Sequence, residues 1–324
     1  MTISPRTTAY TTALPTMRFG MPVRHEARVD ARDSVEIRFG NTRLETMRGS
    51  QLLFHHTELF REMETLWQLP GLLKNKFPQG VPVEIYAGSN GADALSMGIL
   101  MRGVLGAQQA QRYPIITSDL MPDLFERSQQ GIVGLLPNKA EGNPWEDLRT
   151  KWGTMRLYVR QRDGVDIGAL SDCLDPQPIA PELYPEFRLK HSRHPRYKSQ
   201  GNWWTSTSEY EQLYRLRPEV KAQLDRQIVF APDPVDVIQA LVHQAKPSAT
   251  PRVIFLRNMI YMLSMPEMRQ LTQALGENMA SGSLLVLGAT EQSNHLYDRD
   301  LFYSLLKDGG WRPHPDIDRV WVKE

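Results

Sequence analysis

The chain has 324 residues, 38 Lys+Arg against 37 Asp+Glu, and 41% hydrophobic residues. The near-neutral charge argues against a nucleic-acid partner, and no run approaches the roughly 20 apolar residues that membrane insertion needs. A single cysteine, Cys173, excludes an intramolecular disulfide framework and fits a reducing, cytoplasmic compartment.

Residues 1–34 have no hydrophobic period and are read as a disordered tail. Residues 35–80 are expected to form an N-terminal helical segment, after a short strand at Val35–Phe39. Its helix starts at Thr57, carries Leu59, Phe60, Met63, Leu66 and Trp67 at three- and four-residue steps, and ends at Pro70-Gly71. Val81–Tyr86 then reads as a strand, Ala87-Gly88-Ser89-Asn90-Gly91 as a tight turn, and Ala92 to about Leu105 as a helix. Pro114–Thr117 is a second strand, ending at Ser118-Asp119, and Pro122 opens another helix. Strand, glycine turn, helix, strand, helix is the opening of a doubly wound sheet.

The pattern breaks over 134–205, where prolines, charges and aromatics are scattered and the strand candidate is Arg156–Val159. A structureless loop of that length is unusual inside a domain, so an inserted subdomain is expected. Regularity returns at Tyr214. Asp233 is expected to cap a helix from Pro234, followed by a strand at Arg252–Leu256. Pro266–Ala280 is a helix with Met268, Leu271, Leu275 and Met279 on one face. Ser283–Gly288 is a strand, Leu301–Leu306 helical, and Arg319–Val322 a final strand after Gly309-Gly310.

Gly88 and Gly91 would let a ligand lie against main chain, and Asp119, at the end of the second strand, is placed to accept from both hydroxyls of a ribose. Gly88-Ser89-Asn90-Gly91 is not G-x-G-x-x-G, so nothing argues for a pyrophosphate. A two-glycine turn followed by an acid equally serves plain chain geometry. Adjacent His55-His56, and His191 with His194, lack metal-ligand spacing, and no metal site is expected. The basic stretch Lys190–Lys198, followed by Trp203-Trp204, reads either as a docking surface for an acidic partner or as a solvated loop.

Several stretches, in order, resemble the chemoreceptor glutamate O-methyltransferases, the CheR family. Ala87 to Ile99 is similar to that family's A-C-S-T-G-E-E-P-Y-S-I-A-M, and Ser118-Asp119-Leu120 to its T-D-I. Glu126–Val133 stands against E-K-A-x-x-G-I-Y, Tyr214–Val220 against Y-R-V-K-P-E-L, and Ile228-Val229-Phe230 against V-R-F. Val253-Ile254-Phe255-Leu256-Arg257-Asn258-Met259-Ile260-Tyr261 resembles V-I-F-C-R-N-V-M-I-Y, one residue shorter. Leu287–Glu291 resembles L-G-H-S-E and Trp311-Arg312-Pro313 the closing F-R-P.

The resemblance implies a Rossmann-like class I methyltransferase sheet over 81–324, α/β and mostly parallel with an antiparallel C-terminal strand, plus the inserted subdomain. It implies S-adenosyl-L-methionine as cofactor, held by Ala87, Gly88, Ser89, Gly91, Asp93, Asp119, Leu120, Asn258 and Met259. Asp119 would hold the ribose, Asp93 the amino-acid end, and Asn258 the adenosyl group. Tyr261 would face the transfer site. The family's N-x-T-x-F-F-R, set on Gly49–His55, puts His55 where the family has Arg, and Ala92, Ala94 and Leu95 replace the first Glu and the Pro-Tyr of its first motif. The expected activity is methylation of a carboxylate on a protein or small molecule, with Tyr261 and His55 as catalytic candidates. A nitrogen or other oxygen acceptor, and a non-catalytic cofactor-sensing or partner-binding domain, stay open.

Overall fold

The computed structural model describes residues 37–39, 42–44, 58–119, 122–135, 143–180, 212–260, 263–289 and 299–324. In chain order, β1 (Ile37–Phe39) and β2 (Thr42–Leu44) pair antiparallel. Then come α1 (Met63–Leu66), α2 (Leu69–Lys76), β3 (Val83–Tyr86), α3 (Ala92–Leu105), α4 (Ala107–Ala110) and β4 (Ile115–Thr117). A 3-10 turn at Pro122–Phe125 leads into α5 (Glu126–Gln129), β5 (Ile132–Leu135) and α6 (Pro144–Asp163). The rest is β6 (Gln212–Arg215), α7 (Pro218–Gln227), β7 (Ile228–Phe230), β8 (Val253–Leu256), α8 (Met265–Asn278), β9 (Leu284–Leu287), α9 (Arg299–Asp308), β10 (Trp311–Pro313) and β11 (Val320–Lys323).

Seven strands form one sheet in the order β10-β11-β9-β8-β3-β4-β7. β7, β4, β3, β8 and β9 run parallel, and β11 lies antiparallel between β9 and β10. Parallel strands require crossovers, and here helices cover both faces. On one face Val83, Ile85, Val253, Phe255, Leu284 and Val286 pack with α2, α3, α6 and α7. On the other, Ile254, Leu256, Leu285 and Leu287 pack with α8, α9 and Leu241. Adjacent positions alternate between the two cores, as the period of two in a strand demands. Leu59, Phe60, Leu66, Leu69 and Leu73 belong to the first core, so the stretch before β3 packs as part of it.

Several expectations are corrected. Pro70 and Gly71 do not end a helix; they lie in the first turn of α2, where proline's missing N–H costs nothing. Arg156–Val159 is not a strand but the middle of the 20-residue α6. Its Leu148, Trp152, Met155 and Val159 are buried at three- and four-residue steps, and that helical face overrides the local strand propensity. After β7 the capping acid is Asp236, whose Oδ1 accepts the Ile238 N–H at 2.8 Å and the Gln239 N–H at 3.2 Å, and not Asp233. The C-terminus holds two strands, because Trp311–Pro313 pairs with β11 at the sheet edge, where a proline is tolerated. Flanking the 134–205 region, β5 (Ile132–Leu135) pairs antiparallel with β6 (Gln212–Arg215) in a separate two-stranded sheet. Among the described residues no helix is long and apolar enough to cross a membrane.

One ion pair lies inside the sheet. Arg252, just before β8, donates from Nε to Glu84 Oε1 at 2.7 Å and from Nη2 to Oε2, and the Tyr86 hydroxyl donates to Oε2 at 2.9 Å. Burial, with Glu84 beside it, pushes the Tyr86 phenol well above its ordinary value, so it stays a donor. Arg252→Met should strand a Glu84 side chain only 8% exposed and cost about 3–5 kcal/mol in denaturant titration. Adding Glu84→Leu should recover most of that loss, because no unpaired charge then stays buried.

Candidate functional site

The strand order changes direction at β3: the chain builds β4 and β7 on one side of it and then returns to place β8 on the other. Ligands of open α/β sheets bind outside the carboxyl ends of strands at such a point. Three of the segments that meet there carry sequence candidates: Ala87–Gly91 after β3, Ser118-Asp119 after β4, and Arg257-Asn258 after β8.

The turn after β3 is stitched to the end of β4. Gly88 N–H donates to Ser118 O at 2.8 Å, and Ser89 N–H to Asp119 Oδ2 at 2.8 Å. A Cβ on Gly88 would stand 2.1 Å from Thr117 Oγ1, and one on Gly91 2.8 Å from the Phe230 ring. The protein's own packing therefore demands both glycines, and approach of a ligand is not needed to explain them. Gly91 N-caps α3 in the left-handed region, and Asn90 Oδ1 accepts the Ala92 N–H at 3.0 Å.

Asp93 lies in the first turn of α3, where the helix dipole favours an acid. Its Oδ1 accepts from Arg257 Nη1 at 2.8 Å, and its Oδ2 lies 3.8 Å from Arg61 Nη2. Arg257 also donates from Nη2 to the Arg61 carbonyl at 2.8 Å and stands 3.2 Å from Glu62 Oε2. Arg319 Nη1 approaches the same Oε2 at 3.2 Å. Glu62 Oε1 accepts from Asn258 Nδ2 at 3.2 Å and from the Ala289 N–H at 2.9 Å. Three guanidinium groups (Arg61, Arg257, Arg319) thus surround two carboxylates (Glu62, Asp93), with Glu64 and Asp318 further out on Arg319.

Among the described residues, the non-glycine residues at positive φ are Phe60, Glu62, Ala87, Ser89, Asn258 and Arg319, all between 52° and 64°. Each lies in this network or the turn beside it, and Phe60 joins through its N–H on Ser96 Oγ of α3 at 2.8 Å. Left-handed backbone costs about 1–2 kcal/mol per residue, so the cluster's strain approaches a typical domain's whole stability of roughly 5–15 kcal/mol. Strain of that size persists only where surrounding contacts over-determine it, and functional sites are where it gathers.

The structure brings together Ala87, Gly88, Ser89, Gly91, Asp93, Asp119 and Asn258. Met259 is buried in the second core. His55, Leu120 and Tyr261 lie outside the described residues, as do Gly49–His55, the basic stretch Lys190–Lys198 and Trp203-Trp204. No group of His, Cys, Asp or Glu that could hold a metal ion occurs among the described residues. Sequence reading alone does not single out Arg61, Glu62 or Arg319. For Arg61 a signal exists: His55 to Arg61 carries the Thr, one Phe and the Arg of N-x-T-x-F-F-R, whereas Gly49–His55 carries one Phe only. On that placement Arg61 stands where the motif has its Arg. No signal marks Arg319, which reaches Glu62 only through the turn before β11.

No family model matches the chain, and no curated protein matches it.

Burial alone would raise the Glu62 carboxyl, but Arg257, the Ala289 N–H, Arg61 and Asn258 hold it below the ordinary 4.5. A depressed carboxyl stabilises the fold above its unfolded value and stops doing so as pH falls through the lower folded one. Stability at neutral pH should therefore fall away below pH 4.5, and Glu62→Gln should flatten that acid limb in pH-dependent thermal unfolding. Gly88→Ala should lose about 1–3 kcal/mol by overpacking. Combining it with Thr117→Ala should restore most of the loss, because the clashing Oγ1 is then gone.

Proposed function

We propose that this chain is an S-adenosylmethionine-dependent methyltransferase, as the resemblance to the glutamate O-methyltransferases implies, acting on a carboxylate of a protein or small molecule. The observation that carries the reading is the buried Asp93–Arg257 pair, with Arg61 at its edge, set beside Asp119 at the point where the sheet reverses. An α-amino-acid end offers one ammonium and one carboxylate, and needs an acid and a base within a few ångströms of each other. Asp93 with Arg61 and Arg257 is that donor set. Asp119 supports the other end of the same ligand: a carboxylate has about four acceptor positions, so it serves the Ser89 N–H and a ribose diol together.

The sheet also favours this class over a dinucleotide enzyme. A dinucleotide domain has six parallel strands in the order 3-2-1-4-5-6, whereas here an antiparallel strand, β11, enters between β9 and β10. That is the reversed C-terminal strand the family resemblance implies. The turn after β3 likewise lacks the glycine spacing for a pyrophosphate.

When bound, the cofactor supplies a methyl group activated on a sulfonium. The protein's own work is orientation and exclusion of water. A carboxylate acceptor, with an ordinary pKa of about 4, is already ionised at neutral pH and needs no general base. Arg61, 3.8 Å from Asp93, would fix the carboxylate of the cofactor's amino-acid end through its planar fork.

Titration calorimetry with S-adenosylmethionine and S-adenosylhomocysteine tests the reading, and no heat from either ligand would overturn it. Asp119→Ala should weaken both by about 100-fold or more, the loss of a charge-assisted pair of hydrogen bonds. Tyr261→Phe should leave binding intact and lower turnover. Base-labile methyl label released as methanol would mark an ester product; label stable to base would move the acceptor to nitrogen.

A further inference from the structure

Glu62 belongs to none of the strands that form the site, yet its carboxylate is where their ends meet. Its backbone is left-handed (φ 57°) at the head of α1, and the side chain makes no cap. It turns instead to the carboxyl edge of the sheet, 10% exposed. There one oxygen accepts from Asn258 after β8 and the Ala289 N–H after β9, and the other faces Arg257 and Arg319.

We propose that Glu62 is a positioning residue: seated from the N-terminal segment, its carboxylate sets Arg257 and Asn258 in the geometry that receives a ligand. The site is then complete only when residues 58–66 are docked. Two constraints lead there. Asn258 is left-handed and wedged against β9: a Cβ on Gly288 would stand 2.5 Å from Asn258 Oδ1 and 2.7 Å from its N. Its Nδ2 donates to Glu62 Oε1 at 3.2 Å, a contact that helps to orient the side-chain amide. Arg257 divides one guanidinium among Glu62, Asp93 and the Arg61 carbonyl. Without Glu62, Arg257 and Arg319 would face one point with an anion fewer, and Arg257 would lose one of the three contacts that fix its guanidinium.

The ligand readout of this inference rests on the cofactor reading above; the seat itself does not. The test compares the full-length chain with Glu62→Ala and Glu62→Gln. It measures S-adenosylhomocysteine affinity below each variant's unfolding temperature, with sodium formate or with chloride at equal ionic strength. Glu62→Ala should bind about 10- to 100-fold more weakly, the usual loss for a partner that orients a ligand-holding group. Formate, which fits the vacated place, should recover most of the affinity and raise the unfolding temperature, while chloride does neither. Glu62→Gln, which keeps the volume and loses the charge, should bind at intermediate strength.

Binding by Glu62→Ala within about two-fold of wild type, or a loss that formate leaves untouched, overturns the proposal. If Glu62→Ala folds only with formate, the seat is supported. If it folds in neither salt, Glu62→Gln decides: weaker binding supports the role and wild-type binding overturns it. If wild type binds no S-adenosylhomocysteine, the cofactor reading fails. The formate-specific rise in the unfolding temperature of Glu62→Ala then decides the seat alone.

Discussion

The structure turns on one buried guanidinium. Arg257 has a side chain 2% exposed, and an arginine cannot shed its proton inside a protein. Its charge must therefore be met by acids brought to it. Asp93 comes from the head of α3 and Glu62 from the segment before α1, so a single cation fastens the N-terminal segment, the helix after the first central strand, and the end of β8. Removing either acid leaves the guanidinium less fully compensated in a low-dielectric place, at a cost in stability.

That requirement explains where the backbone is strained. Glu62, Asn258 and Arg319 take left-handed conformations that most side chains avoid; Asn258 donates to the Glu62 carboxylate and Arg319 forms an ion pair with it. Ala87 and Ser89 do the same on the neighbouring turn, where Ser89 presents its N–H to Asp119. The sheet beneath is conventional: its central strands β8 and β9 are buried on both faces, with side chains alternating between two apolar cores. Regular structure forms a rigid platform, and irregular, strained backbone carries the polar groups at its edge.

Much of this platform is legible in the residues. Val253–Leu256 and Leu284–Leu287 are apolar throughout, as strands covered on both faces must be. α8 announces itself by Met268, Leu271 and Leu275 on one face and by the reciprocal cap between Ser264 and Glu267. Local propensity misleads where it competes with longer-range burial. Arg156–Val159 has the residues of a strand, but Trp152, Met155 and Val159 share a helical face that packs into the first core. Trp311–Pro313 looks too short and too proline-marked to be a strand, and becomes one only because β11 offers it a partner. At the site, Asp119 is legible from its place at the end of the second strand, whereas Asp93 and Asn258 are marked only by the resemblance to the glutamate O-methyltransferases.

The order of strands and helices along the chain, the two-faced burial of β8 and β9, and Asp119 at the sheet's carboxyl edge are properties of the sequence alone. They follow from periodicity and turn chemistry, which act over a few residues. The meeting of Glu62 with Asn258, Ala289 and Arg319 is a product of tertiary structure: those partners are separated by up to some two hundred and fifty residues and no local period connects them. Charge pairing at a buried point depends on distance through space, and only the folded sheet brings those strand ends together.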